Sequence, residues 1–86
     1  MFVRTQDLSK YVNLNNVLEV FTKENLIFAK PAVQGEDDIL LASYDTPEQA
    51  SKELFDLMRE QARYDSNEEF KRIYEMPEKS YYHVGG

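Results

Sequence analysis

The sequence predicts an α+β domain: an antiparallel β-meander of about four strands packed by a C-terminal amphipathic helix, followed by a short second helix and a tail. Three observations predict it. Short β-rich runs alternate apolar and polar residues between Phe2 and Tyr44. A T-x-x-Q box at Thr46 to Gln49 opens a long run of helical period, and an S-x-x-E box at Ser66 to Glu69 opens a shorter one.

Met1 to Thr5 (MFVRT) is the first strand, and QDLSK supplies a polar turn. Tyr11 to Leu14 (YVNL) resumes the alternation until Asn15 and Asn16, residues suited to turn backbone, interrupt it. Val17 to Lys23 (VLEVFTK) is the strongest strand, with Leu18, Val20 and Thr22 on one face and Val17, Glu19, Phe21 and Lys23 on the other. Both faces carry large apolar groups, so one belongs against a helix and the other is partly covered or partly exposed. Glu24-Asn25 is short enough for a tight hairpin into Leu26 to Ala29 (LIFA), and Pro31, lacking a donor, places that strand at an edge or ends it. After the acidic loop AVQGEDD, Ile39 to Tyr44 (ILLASY) completes the meander.

Thr46 is a good N-cap, Pro47 loses nothing at the first helical position, and Gln49 closes the capping box. From Pro47 to about Tyr64, Ala50, Leu54, Leu57, Met58 and Ala62 form an apolar stripe, while Lys52, Glu53, Asp56, Arg59, Glu60 and Arg63 take the other side. Behind the second box, Phe70, Ile73 and Tyr74 make a short stripe that Pro77 ends near Glu75. Residues 1–76 therefore read as one domain and 77–86 as a flexible aromatic and glycine tail.

Eighty-six residues suffice for a single small core, and the absence of cysteine removes disulfides, thiolate metal sites and cysteine nucleophiles. No stretch resembles a signal peptide or a membrane span, which predicts a cytoplasmic location and no membrane partner. The net charge of −6 divides as +1 over residues 1–35, −8 over 36–78 and +1 over 79–86. The basic residues are scattered rather than clustered, which argues against direct nucleic-acid binding. Solubility accounts for the acidity, and a basic partner is the sharper alternative.

Catalytic constellations are missing from the pattern. One histidine, His83, cannot build a zinc site, and the GEDD loop lacks the ligand spacing of a calcium loop, so neither metal nor cofactor is expected. No serine sits in a G-x-S-x-G turn, no phosphate loop exists, and Glu19 reads as a residue on the more exposed strand face. The expectation is a protein that is not an enzyme, unless Glu19 or His83 enters a site shared across an oligomer. Aromatic residues stand out instead. Tyr64, Phe70, Tyr74, Tyr81, Tyr82 and His83 follow the main helix, where the meander and helix already suffice for a core. Helical stripes are ordinarily core, so Phe70, Ile73 and Tyr74 also read as docking a second helix. The alternative is a protein-binding surface, with Tyr81 to Val84 adding as a strand to an exposed edge, its own, a second copy's or a partner's.

The runs VRTQD, VNLNNV and LLASYDTPEQASKELFDLM resemble small meander-plus-helix proteins of Gram-positive bacteria and their phages, over residues 1 to about 62. That resemblance rests on fold-forming positions and carries no catalytic residue. The missing catalytic constellation and the aromatics beyond the core lead to a small adaptor or inhibitor acting through its second helix and aromatic tail. The alternative is an acidic, phage-type inhibitor whose carboxylates between Glu36 and Glu78 imitate nucleic acid for a basic nuclease or defence enzyme.

Overall fold

A computed structural model of the chain describes residues 1–66 and 73–80, with the side chains of 64–66 outside that description. Strands β1 (Phe2–Arg4) and β2 (Tyr11–Asn13) pair antiparallel with Val3 opposite Val12, both buried. The turn between them is organised by Asp7, whose Oδ1 accepts from the Ser9 backbone N–H at 3.0 Å, the Ser9 hydroxyl at 2.7 Å and the Thr5 hydroxyl at 2.7 Å. Leu8 crosses the turn with a left-handed φ of 65°. Asn13 then caps a 3-10 turn, Leu14–Asn16, by accepting from the Asn15 N–H, and the chain leaves this sheet.

Strands β3 (Val17–Lys23), β4 (Leu26–Pro31) and β5 (Ile39–Ser43) form a second, antiparallel sheet in that order. β4 is its central strand and ends at Pro31, so the missing donor falls where pairing stops. Ile27 and Ala29 are wholly buried and define the inner face, with Thr22 and Ala42 opposite the first and Val20 and Ile39 opposite the second. Strand alternation therefore turns Phe21, Phe28 and Leu40, which lie opposite one another, to the outer face. A bulge between Val17 and Glu19 packs Val17 on the core and exposes Leu18, and a second, on the β4–β5 pair, allows Leu41 and Ala42 both to be buried.

Helix α1 (Pro47–Ser66) begins as predicted. The Thr46 hydroxyl oxygen accepts from the Gln49 N–H at 3.2 Å, and Gln49 Oε1 accepts from the Asp45 N–H at 3.1 Å. Ala50 and Leu57 are fully buried, and Leu54 and Met58 pack beside them on the inner face of the second sheet. Glu53 departs from the predicted polar side: it is only 5 % exposed.

Two expectations are corrected. The strands make two sheets of three rather than one meander of about four, because β3 does not pair with β2 and β6 (Ile73–Glu75) pairs parallel with β1, giving the order β2-β1-β6. The predicted second helix does not hold at its C-terminal end, since Ile73 to Glu75 is this strand, and Ser66, read as that helix's cap, is the last residue of α1. Residues 67–72 lie outside the described residues. The physical reason is tertiary: a β-branched and an aromatic residue satisfy the remaining edge of β1, with Val3 opposite Tyr74 and the Met76 N–H donating to the Arg4 carbonyl at 3.1 Å.

Gln6 joins the pieces. Its backbone N–H donates to the Leu41 carbonyl at 2.8 Å, and its Oε1 accepts from the Ser43 N–H at 2.9 Å. Its Nε2 donates to the carbonyls of Ser43, Glu78 and Pro77 at 2.9, 3.0 and 3.2 Å. The Tyr44 hydroxyl donates to the same Pro77 carbonyl at 2.8 Å. The predicted tail is thus tied to the domain at Pro77 and Glu78, and 81–86 lie outside the described residues.

Candidate functional site

Of the aromatic residues singled out by the sequence, the structure places one. Tyr74 lies on β6 with its side chain toward the core, half-buried, and its phenol is pushed up to about 12 first by burial and then by the negative charges of Glu53, Asp56 and Glu60. It packs against the core and also lines a surface pocket with Tyr11, Asp56, Arg59, Glu60 and Ile73. Phe70, Tyr81, Tyr82 and His83, and the side chain of Tyr64, lie outside the described residues.

The titratable groups with perturbed environments, besides Tyr74, are Glu53, Tyr44 and Asp7. Glu53 is buried near Tyr44, Tyr74 and Asp56, and its Oε2 has no hydrogen-bond partner among the described residues. Burial pushes its carboxyl above the ordinary value, Asp56 adds to this, and Lys52 opposes it. Burial likewise raises the Tyr44 phenol, whose proton is committed to the Pro77 carbonyl. A general acid would need an open path to substrate, and Glu53 faces the interior. Asp7 is the opposite case: donation by the Ser9 hydroxyl, then by Thr5 and the Ser9 N–H, holds its exposed carboxyl down at about 2, the signature of a turn. Glu19 is exposed on β3 opposite Lys30. Among the described residues no three His, Cys, Asp or Glu come together as a metal site, and no helix is long and apolar enough to cross a membrane.

The fold leaves open the outer face of the first sheet, where Phe2, Tyr11 and Ile73 are exposed, and the outer face of the second. Phe21 and Phe28 stack there with ring centroids 5.7 Å apart at 26°, and Leu40 continues the row at 48 % exposure. The helix occupies the opposite face, where Leu54, Leu57 and Met58 meet Ile27 and Ala29. Glu19 opposite Lys30 flanks the row at one end, and Lys23 at the other. No protein-family model matches the chain, and no curated protein or solved structure does so either. The functional reading therefore stands on this geometry.

Sequence reasoning reached part of this face. The two-sided apolarity of VLEVFTK signals an incompletely covered surface, and Phe21 was in that pattern. Phe28 and Leu40 complete it only through the β3–β4–β5 registers, and Leu40 is placed outward by a bulge that alternation alone does not reveal.

Proposed function

We propose that this chain is a small non-enzymatic protein-binding protein, an adaptor or inhibitor, that docks through the outer face of its β3–β4–β5 sheet. The observation that carries the reading is the Phe21, Phe28, Leu40 row on the face of this sheet opposite α1. Rigid aromatic and aliphatic side chains flanked by charges have the make-up of an interaction patch. The aromatic tail at Tyr81, Tyr82 and His83 is a second proposed contact region, carried on a segment that β6 anchors.

The acidic-mimic alternative is weaker. On α1, Asp56 pairs with Lys52 at 2.7 Å and Arg59 at 3.4 Å, and Glu60 pairs with Arg63 at 3.2 Å, so that surface mixes its charges. Affinity capture at low and high salt, comparing the wild-type chain with Leu40→Asp and with a chain ending at Ser80, tests the proposal. Loss of a captured protein with Leu40→Asp supports the sheet face. Loss only on truncation moves the site to the tail, and capture that collapses with salt in all three returns the acidic reading.

A further inference from the structure

We propose that the free edge of β3 pairs with β3 of a second copy of this chain, antiparallel about a twofold axis at Phe21, joining two three-stranded sheets into one of six. The proposal goes beyond the reading of the outer sheet face and concerns the strand edge beside it. β3 is the longest strand at 7 residues, lies at the edge of its sheet, and among the described residues Leu18 to Lys23 have no backbone bond on the side away from β4. Such an edge is a template for another strand.

The hairpin fixes which backbone groups are available. Its two-residue loop, Glu24-Asn25, makes Lys23 and Leu26 the closing pair, which exchanges both hydrogen bonds in a tight hairpin. Alternation then commits Phe21 to Phe28 and directs the N–H and C=O of Val20 and Thr22 outward. With the axis at Phe21, Val20 meets Thr22 of the partner subunit and both exchange those free groups.

The side chains select the same register. Glu19 and Lys23 lie two residues on either side of Phe21, on the outer face. The axis at Phe21 sets Glu19 opposite the partner's Lys23 and Lys23 opposite the partner's Glu19, two unlike pairs from one symmetry operation. Moving the axis one residue to Val20 places Glu19 against the partner's Phe21 and Lys23 against the partner's Val17, and both pairs are lost. The Leu18 bulge lies outside this stretch and leaves residues 19–23 regular. Across the axis Phe21 meets the partner's Phe21, so the stacked row becomes continuous through both copies.

The test uses full-length chain and sedimentation equilibrium. Wild type dimerises, while Glu19→Lys and Lys23→Glu, each placing like charges at both pairs, weaken self-association roughly tenfold or more. Mixing those two variants one to one restores the dimer as a heterodimer, because each chain then offers what the other lacks. The chain has no cysteine, so Phe21→Cys gives a clean second readout: oxidation forms a covalent dimer, since facing Cα atoms about 4.5 Å apart fit a disulfide. Circular dichroism confirms that each variant is folded. A wild type that stays monomeric at millimolar concentration, or a mixture of the two charge variants that does not associate, overturns the proposal. A monomer that still captures another protein through Leu40 sinks the dimer and leaves the function; a dimer whose Leu40→Asp variant captures as wild type does the reverse.

Discussion

Replacing Glu53 with glutamine should stabilise the protein at neutral pH. The side chain is 5 % exposed, its Oε2 has no partner among the described residues, and the phenols of Tyr44 and Tyr74 and the carboxylate of Asp56 surround it, with Lys52 as the nearby cation. Burial raises its pKa above the unfolded value of 4.5, so between those two values the folded state binds more protons than the unfolded one. Stability attributable to this site is therefore full below 4.5 and falls as pH rises through the folded pKa. A buried polar atom left unsatisfied costs about 1–3 kcal/mol, more when charged; Glu53→Gln removes the charge and Glu53→Met the polar atoms as well, so at pH 8 both should gain and Met should recover the larger part. For a domain of this size each kcal/mol corresponds to roughly 4–8 °C in Tm. Urea unfolding followed by circular dichroism from pH 4 to pH 8 is the assay, and the gap between variant and wild type should widen with pH. Parallel curves, or a variant less stable than wild type at pH 8, would refute the reasoning.

Gln6→Ala removes four side-chain hydrogen bonds that tie β5 to the C-terminal segment and should cost about 2–4 kcal/mol in urea unfolding. Gln6→Glu, which turns an acceptor toward three carbonyls, should cost more, and a neutral result for either would show the hub to be redundant. Glu24 holds a left-handed φ of 55° in the β3–β4 turn, so Glu24→Gly should gain up to about 1 kcal/mol while Glu24→Val should lose stability. For Asp7, NMR titration should find a midpoint near 2 in the wild type and a higher one in Ser9→Ala, because the Ser9 hydroxyl is the largest cause of the depression. With its folded pKa below the unfolded value of 3.8, Asp7 supports the fold above that value and loses its effect as pH falls toward 2. An ordinary carboxylate midpoint in the wild type would remove the Asx turn from the account.

Local chemistry made much of the fold legible. Thr46, Pro47 and Gln49 start α1 where the capping box places it, and VLEVFTK is β3 to the residue, because caps and alternation act within a few positions. The Asn15-Asn16 interruption was also legible, but not its consequence. Asn13 caps a 3-10 turn there, so β3 starts a second sheet instead of continuing the first. Ile73 and Tyr74 fit an i, i+1 pair on a helical stripe as well as a strand, and the choice is made by Val3, some seventy residues earlier in the chain. Glu53 was placed on the polar side by its charge, whereas the C-terminal strand, absent from any local window, brings Tyr74 over it. Gln6 read as turn polarity for the same reason: its partners at Ser43, Pro77 and Glu78 are distant in sequence.

These long-range bonds change where function can reside. A second helix and loose tail would leave Phe70, Ile73 and Tyr74 free to bind without disturbing a finished core. A parallel β6 makes the last strand part of the first sheet, with Met76 buried and Pro77 held by two donors. Deleting residues 65–86 would therefore unfold the protein rather than isolate a binding element, and truncation is informative only beyond Ser80. With Tyr74 packed against the core, the first sheet's outer face presents Phe2, Tyr11 and Ile73, and the second sheet's outer face presents Phe21, Phe28 and Leu40. Phe21 and Phe28 are already held against each other there, so a partner meeting them orders few additional rotamers and loses little entropy on binding.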